Sequence, residues 1–400
     1  MNVSYIVDGI RTPVGSFGGT LSSVRTDDLA ALVLKELLKR NSKIDSKEIT
    51  DVILGCANQA GEDNRNIARM ALLLAGLPVS VPGETVNRLC ASGLSASING
   101  ARQIMTGDAD LIIAGGVENM TRGPWVISKT SAPYGRDAQM YDSSFGWRFI
   151  NPKMKEMYGT DSMGETAENL TQLKPIARED QDAFAFRSQK KAAAARQKGR
   201  LAKEIIGVEI QSKKSTILFE HDEFMKPDTT PEILAKLKPA FRKDGTVTAG
   251  NSSGLNDGAA ALLLASENAV KKYGLKPLAK IISSAAHGVE PRIMGIGPVE
   301  ASNHALAKAG LKMSDMDVIE LNEAFAAQCL ACIRAWGLKD GDERINPNGG
   351  AIAIGHPLGM SGARILLSAA LELHEQNKRY ALVTMCVGVG QGVAAVIERA

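Results

Sequence analysis

Two stretches of the chain show the same order of apolar runs and amphipathic helices. Asp51 opens the run DVILG and Asp317 opens DVIEL, an offset of 317 − 51 = 266 residues. Cys90 and His356 each begin a turn of small residues that leads into a helical pattern, and 356 − 90 is again 266. An equal offset at two separate motifs indicates an internal repeat.

Each copy contains the elements of an α/β domain. The hydrophobic periodicity predicts amphipathic helices over 26–40 and 298–309. Continuous apolar runs that end in glycines, 110–116 and 380–388, follow the repeated motifs and are typical of strands buried on both faces. Strands alternating with helices predict an α/β fold class, with two repeated halves built on a mostly parallel sheet.

An inserted segment separates the two copies. Residues 122–249 lack the alternation and are rich in loops, as expected of a region laid over a scaffold. We therefore predict an N-terminal core domain over 1–121 plus 250–273, an inserted loop domain over 122–249, and a C-terminal core domain over 274–400. The insert holds 22 Lys+Arg against 17 Asp+Glu, a net of 22 − 17 = +5. This excess favours a polyanionic ligand or a solvated helical surface.

Composition limits the function classes. With 44% hydrophobic and 23% charged residues the chain is typical of a soluble globular protein. A net charge of +3 on 400 residues indicates neither a nucleic-acid partner nor a membrane surface. The apolar runs are too short to span a bilayer, and no leader peptide is visible, so we expect a cytoplasmic protein.

The cysteines indicate free thiols. Five are scattered along the chain, and an odd number argues against a disulfide framework and for a reducing compartment. Cys329 and Cys332 lie at helical spacing in the apolar segment AFAAQCLACIRAW. We expect them to be buried rather than to bind a metal.

Cys90 is the first candidate for chemistry. A thiol at a helix N-terminus is expected to have a lowered pKa and to act as a nucleophile, although a small buried filler is the alternative. His356 occupies the repeat-equivalent position among glycines. The pseudo-symmetry can bring both helix starts to one cleft, where the imidazole takes the thiol proton.

Two further residues follow predicted strands of the second copy. Cys386 ends the run 380–388, at the edge where α/β scaffolds place ligands, and a second thiol there suits proton transfer to and from a carbon acid. Asn322 follows DVIEL and is predicted to cap the next helix. Its amide can equally hold a water or a substrate oxygen.

Four motifs in this order resemble those of the thiolase family: NRLCASG with Cys90, LNEAFA with Asn322, GGAIAIGHPLGMSGAR with His356 and TMCVGVGQG with Cys386. The resemblance covers essentially the whole chain. It implies a thiolase-like fold that makes or breaks a carbon-carbon bond beside a CoA thioester. It also implies coenzyme A as a substrate, no permanently bound cofactor, no metal, and a homodimer or homotetramer.

The resemblance also implies roles for individual residues. Cys90 would be the acylated nucleophile, His356 its base, and Cys386 the acid/base at the acetyl-CoA enolate. Asn322 with His356 would stabilise the enolate oxygen through a bound water. The backbone N–H groups of Cys90 and Gly388 would form a second oxyanion site.

The family's CoA contacts match Met163, Phe241, Ser253 and Phe325 of this chain. Many thiolases have a histidine before the methionine, whereas this chain has Ser162. One contact to the pantetheine arm of CoA therefore differs from the family pattern.

Two segments favour one subclass. Residues 55–78 and 146–152 resemble the 3-oxoadipyl-CoA thiolases of aromatic-acid degradation, in the β-ketoadipate pathway, more than the short-chain enzymes. This implies thiolysis of 3-oxoadipyl-CoA to succinyl-CoA and acetyl-CoA. Arg65 or Arg148 can supply the cation for the distal carboxylate, unless each is a surface or dimer-interface residue.

Other functions share parts of this pattern. A general acetyl-CoA acetyltransferase and a fatty-acid β-oxidation thiolase would use every catalytic group named above. A ketoacyl synthase also combines a cysteine with histidines, but Cys386 and the NEAF segment favour a thiolase. A non-enzymatic acyl-CoA-binding module would not need Cys90, His356 and Cys386 together.

Overall fold

A computed structural model describes residues 2–211 and 215–400. Its first-half and inserted strands are β1 (Ser4–Arg11), β2 (Gly15–Ser16), β3 (Asp51–Gly55), β4 (Gly83–Val86), β5 (Leu111–Asn119), β6 (Trp125–Ile127), β7 (Met140–Asp142), β8 (Val208–Gln211) and β9 (Thr216–Phe219). The later strands are β10 (Asn256–Ser266), β11 (Ala279–Gly288), β12 (Val318–Leu321), β13 (Tyr380–Val387) and β14 (Gln391–Arg399).

The helices alternate with these strands. They are α1 (Thr26–Arg40), α2 (Ile67–Leu74), α3 (Ser92–Thr106), α4 (Pro152–Tyr158), α5 (Met163–Leu173), α6 (Arg178–Gln197), α7 (Pro231–Ala235), α8 (Glu267–Tyr273), α9 (Gly297–Ala309), α10 (Ala326–Ala335), α11 (Ala351–Ile354) and α12 (Leu358–Glu375). Within the described ranges, every helix is too short or too polar to cross a membrane.

The main sheet has the order β12-β13-β14-β11-β1-β10-β5-β3-β4. The antiparallel pair of β1 with β11 joins the two halves. In the first half β4, β3, β5 and β1 run in one direction and only β10 is reversed. In the second half β12, β13 and β11 run together and β14 is reversed. The predicted α/β class with mostly parallel halves is therefore confirmed.

The halves stack in layers around two central helices. The helices α3 and α12 pack against each other and against strands of both halves, while α1 with α2 and α9 with α10 lie on the outer side of each half. Strand β5 shows how the sequence permits this: Ile112 and Ala114 belong to the central core, and Ile113 and Val117 to an outer one. A strand with two apolar faces is what the continuous hydrophobic run predicts.

Glycines let the two central helices touch at their N-termini. A Cβ on Gly93 would overlap the carbonyl oxygen of Gly359, and one on Gly362 would overlap the backbone of Leu94. Gly93 and Gly359 are repeat-equivalent. This contact brings together the helix starts that follow Cys90 and His356.

The helix boundaries follow the sequence closely, with one exception. Helix α1 covers the predicted 26–40 and α9 covers 298–309. The prediction that Asn322 caps the next helix is wrong, because α10 begins at Ala326 after an extended Phe325. Backbone pairing holds this segment extended: Ser253 donates to the carbonyl of Ala324 at 2.9 Å.

Candidate active site

His356 is held in place by its backbone and by a tight turn. Its N–H donates to Asn256 Oδ1 at 2.9 Å, which links the start of α12 to β10. The preceding Gly355 has φ +112°, and a Cβ there would lie 2.6 Å from Val14. The side chain of His356 is 4% exposed. The glycines in GAIAIGHPLG therefore fix a buried imidazole at the helix start.

The hydrogen bonds of His356 define its tautomer. Ser361 Oγ donates its single proton to the carbonyl of Pro357 at 2.8 Å, so it must accept from His356 Nδ1, which lies 2.6 Å away. This assignment leaves Nε2 unprotonated, 3.4 Å from Asn322 Nδ2. Burial, together with the charge of Arg364, lowers the pKa of His356 to about 3. A neutral imidazole with an unprotonated Nε2 has the form of a general base.

Cys90 lies in a turn just before α3. Leu89 has φ +46°, and Ser92 Oγ donates to the carbonyl of Leu89 at 2.6 Å, so the turn is held by its own side chain. Although the residue as a whole is partly exposed, its thiol is surrounded by protein. Burial raises the pKa of Cys90 to about 11, opposed by the backbone N–H groups of Gly388 and of Cys90 itself.

The expected lowering of the Cys90 pKa is therefore wrong. The helical residues begin at Ser92, with Ala91 as the N-cap, so the thiol stands outside the first turn. The dipole effect falls off within that turn, whereas desolvation disfavours the thiolate directly. Cys90 therefore rests as a thiol and needs a base.

Cys386 and Gly388 approach Cys90 from the second copy. Burial raises the pKa of the Cys386 thiol well above its ordinary value, and the negative charge of a Cys90 thiolate raises it further. A Cβ on Gly388 would lie 3.2 Å from the Leu89 side chain and 3.5 Å from Met163 Sδ. The geometry thus places both thiols and two amide donors in one site.

Asn322 completes the polar part of the site. The residue is fully buried, and its Oδ1 has no hydrogen-bond partner among the described residues. Leaving a buried carbonyl oxygen unpaired costs about 1–3 kcal/mol, so this atom is suited to hold a water or a substrate donor.

The residues expected to contact CoA cluster beside these groups. Phe325 and Cys386 belong to one buried cluster, and the partly buried Met163 packs against it. The rings of Phe241 and Phe325 meet edge to face, with centroids 6.1 Å apart. Ser253 joins the same region through its bond to Ala324. The structure therefore brings the four predicted CoA contacts together next to Cys386.

Ser162 has a local structural role. It is the N-cap of α5: its Oγ accepts from the Glu165 N–H, and its own N–H donates to the Glu165 carboxylate at 2.8 Å. This reciprocal pair is a capping box. It explains why a serine is suited to the position where many thiolases have a histidine.

The two arginines proposed for a distal carboxylate differ in their surroundings. Arg65 is exposed, and its backbone N–H donates to Asp63 Oδ2 at 3.1 Å. Arg148 is half-buried and donates from Nη1 to the carbonyl of Ser143 at 3.2 Å. Its neighbour Trp147 donates to the carbonyl of Asp161, two residues before Met163. Arg148 therefore adjoins the chain entering α5, and Arg65 has no such link.

Sequence reasoning missed two residues that hold His356. One is Ser361, which the sequence could have indicated because it lies five residues after His356, in the first turns of the predicted helix. The other is Glu118 in AGGVENM, a 2% exposed carboxylate that accepts from the N–H of Gly359 at 2.9 Å. Burial raises the pKa of Glu118 to about 7. It caps the first turn of α12 from the first copy, because Pro357 has no side-chain donor or acceptor.

Gly164 offers a test of the CoA cluster. A Cβ there would overlap the Phe241 ring, which is 40% exposed and can swing outward without unfolding α5. We expect Gly164→Ala to raise the KM for CoA about 5- to 30-fold, from about 1–2 kcal/mol of overpacking, with little change in kcat. Initial-rate kinetics with varied CoA measure this. Gly341→Ala, at a position with open space around it, is the control and should leave KM unchanged.

The remaining cysteines agree with the sequence analysis. All five are free, and Cys329 and Cys332 are buried on α10 as predicted. Within the part of the chain that the structure describes, no group of three or more His, Cys, Asp or Glu side chains is arranged to hold a metal ion.

Family comparisons agree with this geometry. The thiolase N-terminal domain model matches residues 4–268 and the thiolase C-terminal domain model matches residues 275–399. A 3-oxoadipyl-CoA/3-oxo-5,6-dehydrosuberyl-CoA thiolase of Escherichia coli is 59% identical over 400 residues, which is 100% of both chains. A beta-ketoadipyl-CoA thiolase of Pseudomonas aeruginosa is 57% identical over 99% of this chain and 98% of its own.

More distant relatives have another name. An acetyl-CoA acetyltransferase of Syntrophomonas wolfei is 46% identical over 98% of each chain. The crystal structure of the Bacillus anthracis acetyl-CoA acetyltransferase superimposes with a TM-score of 0.93 at 40% identity, covering 100% of this chain and 99% of that one. Two domain models over nearly the full length, full-length relatives and one shared fold lead to a single conclusion: this chain belongs to the thiolase family, whose members are acyltransferases.

Proposed function

We propose that this enzyme cleaves 3-oxoadipyl-CoA with CoA, giving succinyl-CoA and acetyl-CoA through an acyl group on Cys90. The observation that carries the proposal is the difference in identity among relatives. Those named for 3-oxoadipyl- or beta-ketoadipyl-CoA share 59% and 57% of residues, while those named acetyl-CoA acetyltransferase share 46% and 40%.

The first half-reaction forms the acyl-enzyme. His356 Nε2 takes the proton of Cys90, and the sulfur attacks the 3-oxo carbon, whose oxygen lies toward the N–H groups of Cys90 and Gly388. The C2–C3 bond breaks, and its electron pair becomes the enolate of acetyl-CoA. Cys386 donates a proton to that carbon, while Asn322 and a water stabilise the enolate oxygen. Acetyl-CoA then leaves and the succinyl group stays on Cys90.

The second half-reaction restores the enzyme. The thiol of CoA attacks the succinyl carbonyl, its proton returns to Cys386, and succinyl-CoA is released. The proton on His356 returns to the Cys90 thiolate. Cys90 and Cys386 thus give up their protons in turn rather than together. This order suits a site where the negative charge of a Cys90 thiolate raises the pKa of Cys386.

The pKa values of Cys90 and His356 in the resting site bear on when the proton moves in the first step. The raised pKa of Cys90, about 11, and the lowered pKa of His356, about 3, both favour a neutral thiol and a neutral imidazole in the resting site. In this proposal the proton therefore moves from Cys90 to His356 as the sulfur attacks the bound substrate. His356 acts as a general base during bond formation rather than as a standing counter-ion.

Initial rates on a panel of 3-oxoacyl-CoA substrates test the substrate assignment. We expect kcat/KM to be at least about tenfold higher for 3-oxoadipyl-CoA than for acetoacetyl-CoA, because a paired distal carboxylate adds more than about 1.4 kcal/mol of binding. A preference for acetoacetyl-CoA would instead support the second candidate, a general acetyl-CoA acetyltransferase, which the names of the more distant relatives favour.

Arg148 is our choice for the cation that receives the distal carboxylate. We expect Arg148→Gln to raise the KM for 3-oxoadipyl-CoA about 10- to 100-fold, since a charge-assisted hydrogen bond contributes about 1.5–3 kcal/mol. The KM for acetoacetyl-CoA, whose acyl chain has no carboxylate, should not change. Arg65→Gln is the matched control. Equal losses on both substrates would mean that Arg148 supports the loop rather than the substrate.

We also propose the domain division given above, a homodimeric or homotetrameric assembly and a cytoplasmic location. The free cysteines support a reducing compartment. The hairpin β6–β7 exposes Trp125, Ile127 and Met140 by 72%, 66% and 61%, and such an apolar face supports burial against another subunit. CoA is a substrate in this proposal, and no permanently bound cofactor is invoked.

A further inference from the structure

Three buried side chains behind the active site have polar atoms without a protein partner. They are Glu320, Asn322 and Arg364, each at most 1% exposed. The unpaired atoms are Glu320 Oε1, Asn322 Oδ1, and Nε and Nη2 of Arg364. An unpaired buried charged group costs more than a neutral one, so four such atoms in one region call for a common polar ligand.

The fold places these residues on two facing elements. Glu320 lies in β12, and Asn322 continues the strand by donating its N–H to the carbonyl of Thr384 at 3.0 Å. Residues two apart on a strand share one face. This strand packs against α12, which carries Arg364 eight residues, or roughly 12 Å, beyond His356. Asn322 meets His356 at one end, and Glu320 is electrostatically coupled to Arg364 at the other.

The neighbouring charges are already bonded to one another. Arg11 bonds Glu204 and Asp222, both at 2.7 Å, and Arg200 bonds Glu204 at 3.1 Å and Glu372 at 3.0 Å. These five groups are also the charges that act on Glu320 and Arg364. Glu320 and Arg364 form no salt bridge with each other. Water is the ligand that commonly satisfies such groups, with about three hydrogen bonds per buried molecule.

We propose that a short file of ordered waters lies between β12 and α12, bonded to Arg364, Glu320 and Asn322, and that Glu320 and Arg364 tune the basicity of His356 through it. Both are positioning residues, because neither touches the reacting atoms. The tuning role rests on the proposed function, in which His356 is the base. The water file itself is inferred only from the unpaired polar atoms of Glu320, Asn322 and Arg364.

The charges of Arg364 and Glu320 predict how the basicity of His356 changes with pH. Arg364 lowers the pKa of His356. Burial raises the pKa of Glu320 to about 8, with Arg364 acting in the opposite sense. Below pH 8 Glu320 is neutral and does not offset the charge on Arg364, so His356 is a weaker base. Above pH 8 the Glu320 carboxylate offsets that charge, and the basicity of His356 increases.

The pH dependence of kcat/KM between pH 6 and 9.5, measured with acetoacetyl-CoA and CoA, tests the tuning role. We expect a rise of about threefold to tenfold with an apparent pKa near 8, in addition to any change from Glu118. Glu320→Gln should remove this rise, and Arg364→Met should remove it too, whereas Arg364→Lys should restore it. Glu372→Gln, the control, should keep the rise but move it to lower pH, because the Glu372 carboxylate raises the pKa of Glu320.

An unchanged profile in an active, folded Glu320→Gln enzyme would overturn the tuning role. A wild-type enzyme with no thiolysis of any 3-oxoacyl-CoA would contradict the proposed function instead. A high-resolution crystal structure tests the waters separately: density is expected within hydrogen-bonding distance of Arg364 Nε, Glu320 Oε1 and Asn322 Oδ1. A direct Arg364–Glu320 ion pair with no solvent between the side chains would overturn the water file.

Discussion

Replacing Cys90 with alanine is expected to lower kcat for thiolysis by about 10⁴-fold or more, because the covalent route is lost with the nucleophile. The thiol is held between the Leu89 turn and the amides of Gly388 and Cys90. Rapid-mixing mass spectrometry measures the intermediate. The Cys90 peptide should gain about 42 Da with acetyl-CoA and about 100 Da, a succinyl group, with 3-oxoadipyl-CoA.

Cys332→Ala is the matched control. It removes another buried thiol, on α10, with a stability cost of about 1 kcal/mol and no expected change in kcat. An adduct on Cys386 rather than Cys90 would reverse the assigned roles of the two thiols. A wild-type protein that binds acetyl-CoA without acylation would favour a binding module over an enzyme.

Replacing His356 with asparagine is the second large effect, with an expected loss of about 10³–10⁴-fold in kcat/KM. The imidazole is the free base beside Asn322, and general-base catalysis contributes about 10²–10⁴-fold. The loss should lie mainly in kcat, because His356 acts on the proton of Cys90 rather than on CoA binding. Stopped-flow measurement of acyl-enzyme formation would show the slowed step directly.

His374→Gln is the control for this change, since His374 is an exposed histidine on α12, the helix that His356 precedes. The protonation state gives a further check. Because the pKa of His356 is lowered to about 3, its imidazole should stay neutral from pH 5 to 8, where an ordinary histidine with a pKa near 6.5 becomes protonated. An NMR pH titration of the imidazole resonances would decide this, with the His356 signal identified by its absence from the spectrum of the His356→Asn enzyme. A His356 signal that titrates near pH 6.5 would contradict the buried, neutral base.

The glycine contacts explain why the catalytic residues tolerate little movement. Gly93 and Gly359 allow the backbones of α3 and α12 to touch, and side chains there would separate the two helix starts. A shift of about 1 Å between reacting groups can cost on the order of 10²-fold in rate. The small residues that follow Cys90 and His356 in the sequence therefore keep these two residues close together.

The sequence by itself determined the elements and the chemistry of this protein. Its hydrophobic periods placed α1 and the buried strands, and the equal offsets predicted that the helix starts after Cys90 and His356 would meet. Local patterns suffice for these features because helix faces, buried strands and small-residue turns depend on neighbouring residues. The four motifs supplied the family.

Only the tertiary structure decided how the site is tuned. Cys90 was expected to be acidic, but burial by the second copy outweighs the helix dipole. Asn322 was expected to cap a helix, but residues 324–326 pair with residues 251–253 and the helix begins only at Ala326, while the Asn322 N–H donates to the carbonyl of Thr384. Burial, tautomer and the unpaired atoms of Glu320 and Arg364 arise from residues that are far apart in the chain. Desolvation and hydrogen bonding depend on what surrounds a group, which no local pattern records.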